Sequence, residues 1–507
     1  MIQQLRRLYE EKPLQFALFA GLIFRLIAVI FSKGYGMTDD HFKIITEAHM
    51  YITGNETKFW TPGFSEAVSK RSMLYPYLHY LLFSSMDSVG WVDPQFKMYV
   101  VRFLHGIYSL LTIFFSYKIT LLLSNKRIAG QVALIAALLW FMPMMSVRNL
   151  IEVVSIPLLM GGTYLALLGH LNLRKSSIFL FAGIVLGYAF SIRYQTAAFT
   201  GGLGIFFVLQ RNFKAATLMT LGFMIPLFLN HYVLESLVFG FEPFEKILNY
   251  VNFNVSNATE YINGPWYNFI LLFLGLFIPP FSFILLFGSF KVWKKHLFLF
   301  LPFFLFMVFH SVFPGKQERF ILPAVMYFPI LGLIGYDELV KNGKWWSRNK
   351  KFFRISWKVF WVINFILLIP ITFTYSKRSK VEAMYYLNHV PDEEKNSMVF
   401  CGGSKSDILT IPAFYANIKH YPVAYRISSE EEMETFKEEI SELDREDLPD
   451  YLFVFEHDQK EERLRQFEST LPRLTYETTI EASFIDQLMH WLNPKNKNYN
   501  IDIYKID

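Results

Sequence analysis

The sequence predicts a mainly α-helical, polytopic membrane protein with a small C-terminal α/β domain outside the membrane. Hydrophobic residues fill 53% of the 507 positions and charged residues only 18%, whereas soluble chains carry about 45–50% and about 25%. Charge also divides the chain, because residues 1–376 hold 33 Lys and Arg against 17 Asp and Glu, and residues 377–507 hold 16 against 26. This composition excludes disordered, collagen-like and coiled-coil proteins. The single Cys401 excludes a disulfide framework.

Eleven apolar stretches are candidate membrane spans, because a span needs about 20 mostly apolar residues. The first could pass for a signal peptide, but it contains Arg25 and lacks a small-residue cleavage site, which favours an uncleaved anchor. We therefore predict a transmembrane domain over 1–376 and a soluble domain over 377–507. The candidate spans are 14–31, 98–122, 128–146, 150–171, 176–192, 196–210, 215–234, 266–290, 297–313, 320–338 and 357–375.

The basic loops predict the orientation of these spans. With the N-terminus inside, every second loop carries Lys and Arg, which the positive-inside rule assigns to the cytoplasm. Eleven spans then put the C-terminal domain outside, together with two long loops, 32–97 and 235–265, and long loops commonly carry function. The basic loops contain Lys126 and Arg127, Arg174 and Lys175, Arg211 and Lys214, Lys291 to Lys295, and the run from Lys341 to Lys358.

The C-terminal residues alternate between strand-like and helix-like stretches, which is typical of a small α/β domain. Helices are predicted over 429–444, with Ser428 or Ser429 as its N-cap, and over 458–470. Gly402–Gly403 after the first strand is either a turn or a weak indication of a nucleotide site. The predicted strands are 397–401, 422–426, 451–456, 474–480 and 499–506.

Several charges lie at the outer ends of the predicted spans, where charge is costly and commonly functional. Each one could be an ordinary interfacial charge paired with a neighbour. Together they favour an anionic partner, since Arg and Lys bind phosphate oxygens, and the nearby carboxylates could supply a general base. We expect a lipid-linked phosphate to bind here. The charges are Arg25, Asp39, Asp40, Glu47, His49, Arg102, Arg148, Glu152, Arg193, Lys316, Glu318 and Arg319.

Short motifs occur in order between residues 14 and 340. They are Thr38-Asp39-Asp40-His41-Phe42 with His49, Trp60 with Arg71-Ser72 and Tyr75-Pro76, Asn149 to Glu152, Arg193, and His310-Ser311 with Pro314 to Phe320. The set resembles the GT-C class of membrane glycosyltransferases, most closely glycosyltransferase family 22, which contains lipid-linked mannosyltransferases. Asp39 stands at the Asp of the family's His-Pro-Asp-Glu signature. Met37-Thr38 replaces its His-Pro, and Gly315 replaces a family His.

The resemblance implies transfer of a hexose, often mannose, from a polyprenyl-phosphate donor to a hydroxyl of a glycan or lipid-linked acceptor, with inversion, on the outer side. It implies Asp39 as the base, with Asp40 as second choice. Arg193, Lys316, Arg319 and Arg148 would bind the donor phosphate and neutralise it as it leaves. No metal-ligand spacing is evident, so we expect no metal and no cofactor. The supporting or acceptor residues would be His49, Trp60, Arg71, Glu152, His310 and Glu318.

Two alternatives stay open from the sequence. One is a transporter or flippase for lipids or sugars, although such proteins tend to show inverted repeats and charges near the bilayer midplane. The other is a non-catalytic binding protein of the same fold. The expected partners are the lipid-linked donor, the acceptor and membrane lipids, and no nucleic acid. We expect a bacterial inner membrane with a periplasmic active site, or the endoplasmic reticulum membrane in a eukaryote.

Overall fold

Apolar helices make up most of the chain. The computed structural model describes residues 2–37, 41–53, 70–258, 263–395, 397–408, 411–418, 423–493 and 498–507. Its contacts separate two compact units. The first comprises Met1–Ile30, Ser69–Tyr75 and Arg102–Phe373, and the second comprises Phe31–Val68, Pro76–Val101 and Thr374–Asp507. Most of the first predicted outer loop is thus grouped with the C-terminal residues. The predicted division after residue 376 instead assigns this loop to the transmembrane domain.

The helices up to residue 372 follow the apolar stretches of the sequence. Short 3₁₀ turns at Tyr194–Thr196 and Glu318–Ala324 and π-helical segments at Phe42–Thr46 and Leu229–Val238 interrupt them. The α-helices are α1 Ile2–Glu11, α2 Pro13–Phe31, α3 Glu47–Thr53, α4 Leu74–Ser88, α5 Pro94–Tyr108, α6 Leu110–Leu123, α7 Lys126–Leu138, α8 Met142–Met145, α9 Ile151–His170, α10 Ile178–Ile192, α11 Ala197–Leu209, α12 Phe213–Phe228, α13 Glu245–Ser256, α14 Asn268–Leu276, α15 Phe281–Lys291, α16 Leu297–Val312, α17 Tyr327–Asn342, α18 Lys344–Arg348 and α19 Lys350–Thr372.

Five of these helical segments are long and apolar enough to cross a membrane. Two bent pairs, α14 with α15 and Glu318–Ala324 with α17, raise the number of candidate spans to seven among the described residues. Three shorter apolar helices, Ile178–Ile192, Tyr194–Leu209 and Leu297–Val312, also coincide with predicted spans. The chain is therefore an integral, multi-pass membrane protein, and the total of eleven spans stays a prediction.

Arg25 is a structural residue of the membrane helices. Its guanidinium is completely buried, and its Nε donates to Ser109 Oγ at 2.6 Å. Nη1 donates to Ala137 O at 3.1 Å and to Gly21 O at 3.2 Å, and Nη2 donates to Ala136 O at 3.3 Å. Ala136 and Ala137 lie in the last turn of α7, where helix carbonyls have no partner within the helix. Arg25 therefore satisfies a helix end, which explains why a span tolerates it.

Glycines bring α10 and α12 into close contact. A Cβ added at Gly183 of α10 would lie 2.0 Å from Met219 O of α12, and one at Gly222 would lie 2.0 Å from Leu180 O. Small residues at such crossings let helix backbones approach each other, which is how many membrane helices pack. These contacts fix α10 against α12 and so position the turn that follows α10.

The second unit contains a five-stranded mixed sheet in the order β2-β1-β3-β5-β4. The strands β1 and β2 are parallel, as are β1 and β3, whereas β5 is antiparallel to β3 and β4. The two predicted helices are confirmed, and Ser429 Oγ caps the first by accepting from Glu432 N. All five predicted strands are also confirmed, as β1 Ser397–Cys401, β2 Val423–Ile427, β3 Tyr451–Phe455, β4 Leu474–Ile480 and β5 Ile501–Ile506.

The helices after α19 include three that the sequence did not predict, α20 Arg378–Leu387, α21 Lys405–Ile408 and α24 Phe484–Leu492. The two predicted helices are α22 Glu430–Ser441 and α23 Lys460–Thr470. Buried side chains of β1 and β3 form two clusters. Val399 and Leu452 pack with α22 and α23, while Met398 and Phe453 pack with α20 and with residues of the first predicted outer loop.

The segments that follow the first and last candidate spans are joined within the second unit. Ser32 Oγ donates to Thr374 O at 3.3 Å, and Ser376 N donates to Lys33 O at 3.1 Å. Gly34 and Ser376 form an isolated parallel bridge. Both spans therefore end on the same side of the membrane and run in the same direction, which requires an odd number of crossings in total.

This pairing predicts the results of reporter fusions. Fusions after Gly34 and after Lys380 should report the same side of the membrane, and a fusion after Trp345, between α17 and α19, should report the opposite side. Paired reporters, one active only in the cytoplasm and one active only outside it, measure both states. Opposite results at Gly34 and Lys380 would contradict the odd number of crossings.

Candidate active site

A buried carboxylate lies between two guanidinium groups in the first unit. Glu152 Oε1 lies 3.1 Å from Arg193 Nη2 and 3.6 Å from Arg319 Nε. The side chains are 1%, 5% and 11% exposed, respectively. Two arginines that are buried to this extent repel each other strongly unless an opposite charge lies between them. The structure therefore brings together three of the residues that the sequence singled out, across a separation of 167 positions.

Helix ends place these three groups. Glu152 lies in the first turn of α9 and Arg193 is the C-cap of α10. A helix favours negative charge at its N-terminus and positive charge at its C-terminus. Arg319 lies in the 3₁₀ turn Glu318–Ala324 that leads into α17. The local sequence thus provides Glu152 and Arg193 with a favourable helix end before any tertiary contact forms, whereas the positive Arg319 lies near an N-terminal end and gains nothing from it.

Gln195 and His310 extend this charged cluster. Arg193 Nη2 donates to Gln195 Oε1 at 2.7 Å, and the same oxygen lies 3.2 Å from His310 Nε2. His310 is buried in the last turn of α16, where its Nδ1 donates to Phe306 O at 2.8 Å. Sequence reasoning missed Gln195. The signal available was its position two residues after Arg193, in the same turn.

One aromatic ring borders both arginines. The guanidinium carbons of Arg193 and Arg319 lie 5.2 Å and 5.9 Å from the centre of the Phe320 ring. An aromatic face attracts a cation at this range. Phe320 therefore helps to hold the two guanidiniums in place while leaving their N–H groups to polar partners.

Lys316 closes the end of α16. Its ammonium group donates to His310 O at 2.8 Å, to Ser311 O at 2.7 Å and to Phe313 O. An ammonium has three N–H donors, and here each has a backbone carbonyl at or just beyond the helix C-terminus. Burial lowers the pKa of Lys316 below its usual value. This geometry gives Lys316 a structural contact, and its predicted role at a donor phosphate stays a prediction.

The remaining residues of this group occupy different settings. Arg148 is buried in the turn before α9, four residues ahead of Glu152, and Asn149 beside it is also buried. Glu318 is exposed at the start of its 3₁₀ turn. Gly315 forms an isolated bridge with Asn263, so the end of the second predicted outer loop runs beside Lys316. A Cβ at Gly264 would lie 3.0 Å from Lys316 Cγ, which shows how closely the two segments approach.

A second buried polar group, formed by His231 and Glu235, packs against the residue that follows Arg193 in the chain. Glu235 Oε2 lies 2.8 Å from His231 Nδ1 within the π-helical segment Leu229–Val238, and Glu235 Oε1 accepts from Met73 N at 3.0 Å. The ring of Tyr194 lies 5.5 Å from that of His231.

The bond from Met73 N to Glu235 and the contact between His231 and Tyr194 place the segment that contains Arg71 beside the turn that contains Arg193. π-Helical segments frequently mark functional sites. Sequence reasoning missed the His231–Glu235 pair. The available signal was a His and a Glu four residues apart at the end of a predicted span.

Other predicted residues fall elsewhere. His49 is buried in the second unit, with its ring 5.6 Å from that of Phe414 in an edge-to-face contact. Burial, with the charge of Lys97, lowers the pKa of His49 to about 4, so its imidazole is neutral at pH 7. Asp39, Asp40 and Trp60 lie outside the described residues. The helical backbone that follows Asp40 begins at His41.

The second unit has a cavity of about 590 Å³ beyond the carboxyl ends of β1 and β3. Gly403, Glu456, Asp458 and His490 are among its lining residues. Two carboxylates at its wall make it unfavourable for a phosphate, so the Gly402–Gly403 pair gains no support as a nucleotide site. Gly402 N donates to Ile427 O and so continues the contact between β1 and β2. Across the described part of the chain, no group of three His, Cys, Asp or Glu side chains is arranged to hold a metal ion.

Comparison with known families decides the class of protein. A sequence model of the Alg9-like mannosyltransferase family matches residues 16–415. The chain belongs to this family. It is therefore a membrane glycosyltransferase of the GT-C class and an enzyme of the mannosyltransferase type, as the motifs indicated. No curated protein sequence matches the chain.

Solved structures support the same fold for this Alg9-like mannosyltransferase. ArnT from Cupriavidus metallidurans bound to undecaprenyl phosphate aligns with a TM-score of 0.60 and 10% identity, covering 96% of this chain and 97% of ArnT. Its apo state aligns with a TM-score of 0.59 and 12% identity, covering 96% of each chain. The oligosaccharyltransferase of Archaeoglobus fulgidus in complex with Zn and sulfate aligns at 0.52 and 12% identity, covering 92% of this chain and 72% of that one.

The charge balance at Glu152 predicts a large stability effect in this mannosyltransferase. Glu152→Ala leaves two buried guanidiniums without their shared carboxylate, and removing one partner of a buried pair costs about 3–5 kcal/mol. Thermal unfolding in detergent measures the loss. Glu338→Ala is the matched control, because its pair with Lys295 is largely exposed and such pairs contribute about 0–1 kcal/mol. Equal unfolding midpoints for the two variants would contradict the role of Glu152.

Proposed function

We propose that the protein transfers mannose from a polyprenyl-phosphate donor to a hydroxyl of a glycan or lipid-linked acceptor, with inversion at the anomeric carbon. The observation that carries this proposal is the buried group formed by Glu152, Arg193 and Arg319. These three side chains together carry one net positive charge at the ends of membrane helices. A phosphate that arrives with its lipid tail in the bilayer is the ligand that such a site favours.

The donor phosphate is proposed to bind Arg193 and Arg319. Arginine presents a planar fork of N–H donors that suits phosphate oxygens, and it stays charged when buried. Arg148 and Lys316 remain members of the proposed site. Lys316 also holds the chain just before the turn that carries Arg319. It would therefore help to position Arg319 as well as contact the phosphate. The structure of ArnT with undecaprenyl phosphate, a lipid phosphate of the proposed kind, adds support through a shared fold.

The proposed reaction breaks the bond between the sugar's anomeric carbon and the phosphate oxygen, and that oxygen keeps the bonding electrons. The acceptor oxygen forms a new bond to the opposite face of the same carbon. Its proton passes to the carboxylate of Asp39, with Asp40 as the alternative base. The arginines stabilise the polyprenyl phosphate as its charge increases, which is the usual role of preorganised cations at a leaving group.

The proposed site faces the outer side of the membrane, in the periplasm of a bacterium or the lumen of the endoplasmic reticulum. The basic loops support this orientation, because they favour a cytoplasmic location for residues 341–358. With that orientation, the joined ends of the first and last spans support an outer location for both Gly34 and Ser376. A reporter that is active only outside the cytoplasm should work after Lys380 and fail after Trp345.

Transfer itself is the test that separates this proposal from the transporter and binding-protein alternatives. The purified protein in liposomes, supplied with polyprenyl-phosphate mannose and a candidate lipid-linked acceptor, should yield a mannosylated acceptor and polyprenyl phosphate in equal amounts. Movement of the donor across the bilayer without a product would favour a flippase. Donor binding without either result would favour a non-catalytic protein.

The arginine pair predicts a selective loss of donor use. A hydrogen bond to a charged group contributes about 1.5–3 kcal/mol, so Arg319→Ala should reduce donor kcat/KM by about one to two orders of magnitude. The acceptor KM should change little. Arg174→Ala is the matched control, because Arg174 is exposed and precedes the helix that Arg193 ends. A folded Arg319→Ala variant with unchanged donor kinetics would contradict the assignment.

The base assignment predicts a loss of turnover without a loss of folding. Asp39→Asn should lower kcat about 10²–10⁴-fold, the usual contribution of general-base catalysis, while donor binding stays unchanged. Asp93→Asn is the control for a substitution that affects only a helix cap, and it should leave turnover unchanged. Asp93 Oδ1 accepts from Phe96 N at the start of α5, and Asn caps a helix equally well. Turnover of Asp39→Asn within a few-fold of the parent would transfer the assignment to Asp40.

A further inference from the structure

The helix α24 exposes an apolar face although it belongs to the unit that contains the sheet. Phe484 and Trp491 are 75% and 76% exposed, and Leu492 is 62% exposed. Leu488 and Met489 are also exposed. The spacing of 484, 488, 491 and 492 places these side chains along one side of a helix. Soluble surfaces rarely carry such a continuous apolar patch without a partner.

This patch is distinctive within its surroundings. Among the described residues from 374 to 507, the other large apolar side chains that are exposed are only Val423 and Tyr476. The opposite face of α24 is polar and packed. Ser483 Oγ caps the helix by accepting from Asp486 N at 3.1 Å, and buried Asp486 accepts from Asn498 Nδ2 at 3.3 Å. The helix is therefore anchored on one side and apolar on the other.

Three ends of candidate spans meet in the same unit, and they define where the membrane surface must lie. The segments after α2 and α19 are joined by Ser32 and Thr374. The start of α5 is joined to them, since Gln95 Nε2 donates to the hydroxyl of Tyr375 at 3.3 Å and the hydroxyl of Tyr385 donates to Asp93 Oδ2 at 2.8 Å. Three connections to membrane helices thus leave this unit close together.

The helix α24 is bonded directly to this junction. Arg378 N donates to Asp486 Oδ2 in the first turn of α24 at 3.3 Å. Arg378 follows Thr372, the last residue of α19, by six positions, and six residues of chain reach at most about 20 Å. The first turn of α24 is therefore held near the membrane end of α19.

We propose that the apolar face of α24 lies in the interfacial layer of the bilayer, so that its partner is the lipid surface. Trp is enriched at this depth, and an amphipathic helix that lies in the interface inserts its apolar side chains among the headgroups and upper acyl chains. Two lysines follow the helix in the sequence, Lys495 and Lys497, and would favour anionic headgroups. This contact would attach the C-terminal unit to the membrane surface, and it would play no part in the sugar transfer.

Spin labels test the depth of α24 in the full-length protein. In a Cys401→Ala background, we would introduce Phe484→Cys and Trp491→Cys separately, attach a nitroxide, and reconstitute each protein in nanodiscs of phosphatidylcholine and phosphatidylglycerol. Power saturation then measures collisions with oxygen, which partitions into lipid, and with a water-soluble nickel complex. Glu438→Cys on the exposed side of α22 is the matched control.

The ratio of oxygen to nickel collisions should be several-fold higher at positions 484 and 491 than at 438. A ratio equal to that at 438 would overturn the proposal by showing that the face is in water. Low collision rates with both reagents would overturn it as well, because a second copy or a protein partner would then cover the face.

A second measurement avoids the cysteine background. The fluorescence difference between the unmodified protein and Trp491→Phe isolates the emission of Trp491 from that of the nine other tryptophans. In nanodiscs that contain brominated lipids, this emission should be strongly quenched relative to nanodiscs of unbrominated lipids. Emission that is unaffected by bromine would overturn the proposal even if the spin-labelled variants failed to fold.

Discussion

Glu152 provides the charge compensation on which the candidate site depends. Arg193 and Arg319 come from helices far apart in the chain, and both are buried beside the same carboxylate. Without it, their mutual repulsion in a poorly hydrated setting would separate the segments that carry them. With it, the three groups keep one net positive charge. The same contact thus stabilises the first unit and leaves an excess of positive charge at the candidate site.

The bilayer restricts where such groups can be placed. Inside hydrocarbon, every backbone N–H and C=O must be satisfied within the protein, so the spans are helical and their free polar groups occur only at the ends. Site residues accordingly occupy helix ends. Glu152 is in a first turn, Arg193 is a C-cap, and Lys316 bonds the last carbonyls of α16. The candidate site and the helix ends therefore share the same positions.

Two arginines of the membrane helices show why a buried charge is not by itself a binding site. Arg25 directs its N–H groups at Ser109 Oγ and at backbone carbonyls of α2 and α7, so it fastens helices together. Arg193 instead contacts a carboxylate and the amide of Gln195, and it is paired across space with a second arginine. Backbone acceptors indicate a structural role for Arg25, whereas Arg193 belongs to a cluster of charged side chains at helix ends and is therefore a candidate for binding.

The sequence by itself determined the membrane class, and it determined the strands and two long helices of the C-terminal domain. It also singled out Glu152, Arg193 and Arg319. These features could be predicted because hydropathy, strand propensity and the cost of charge in apolar segments act locally. It did not reveal Gln195, the His231–Glu235 pair, or the structural roles of Arg25 and Lys316. Those depend on which helix ends meet and on which carbonyls lack partners. The tertiary structure alone decided them, since close packing of helices fixes contacts between residues that are distant in the chain.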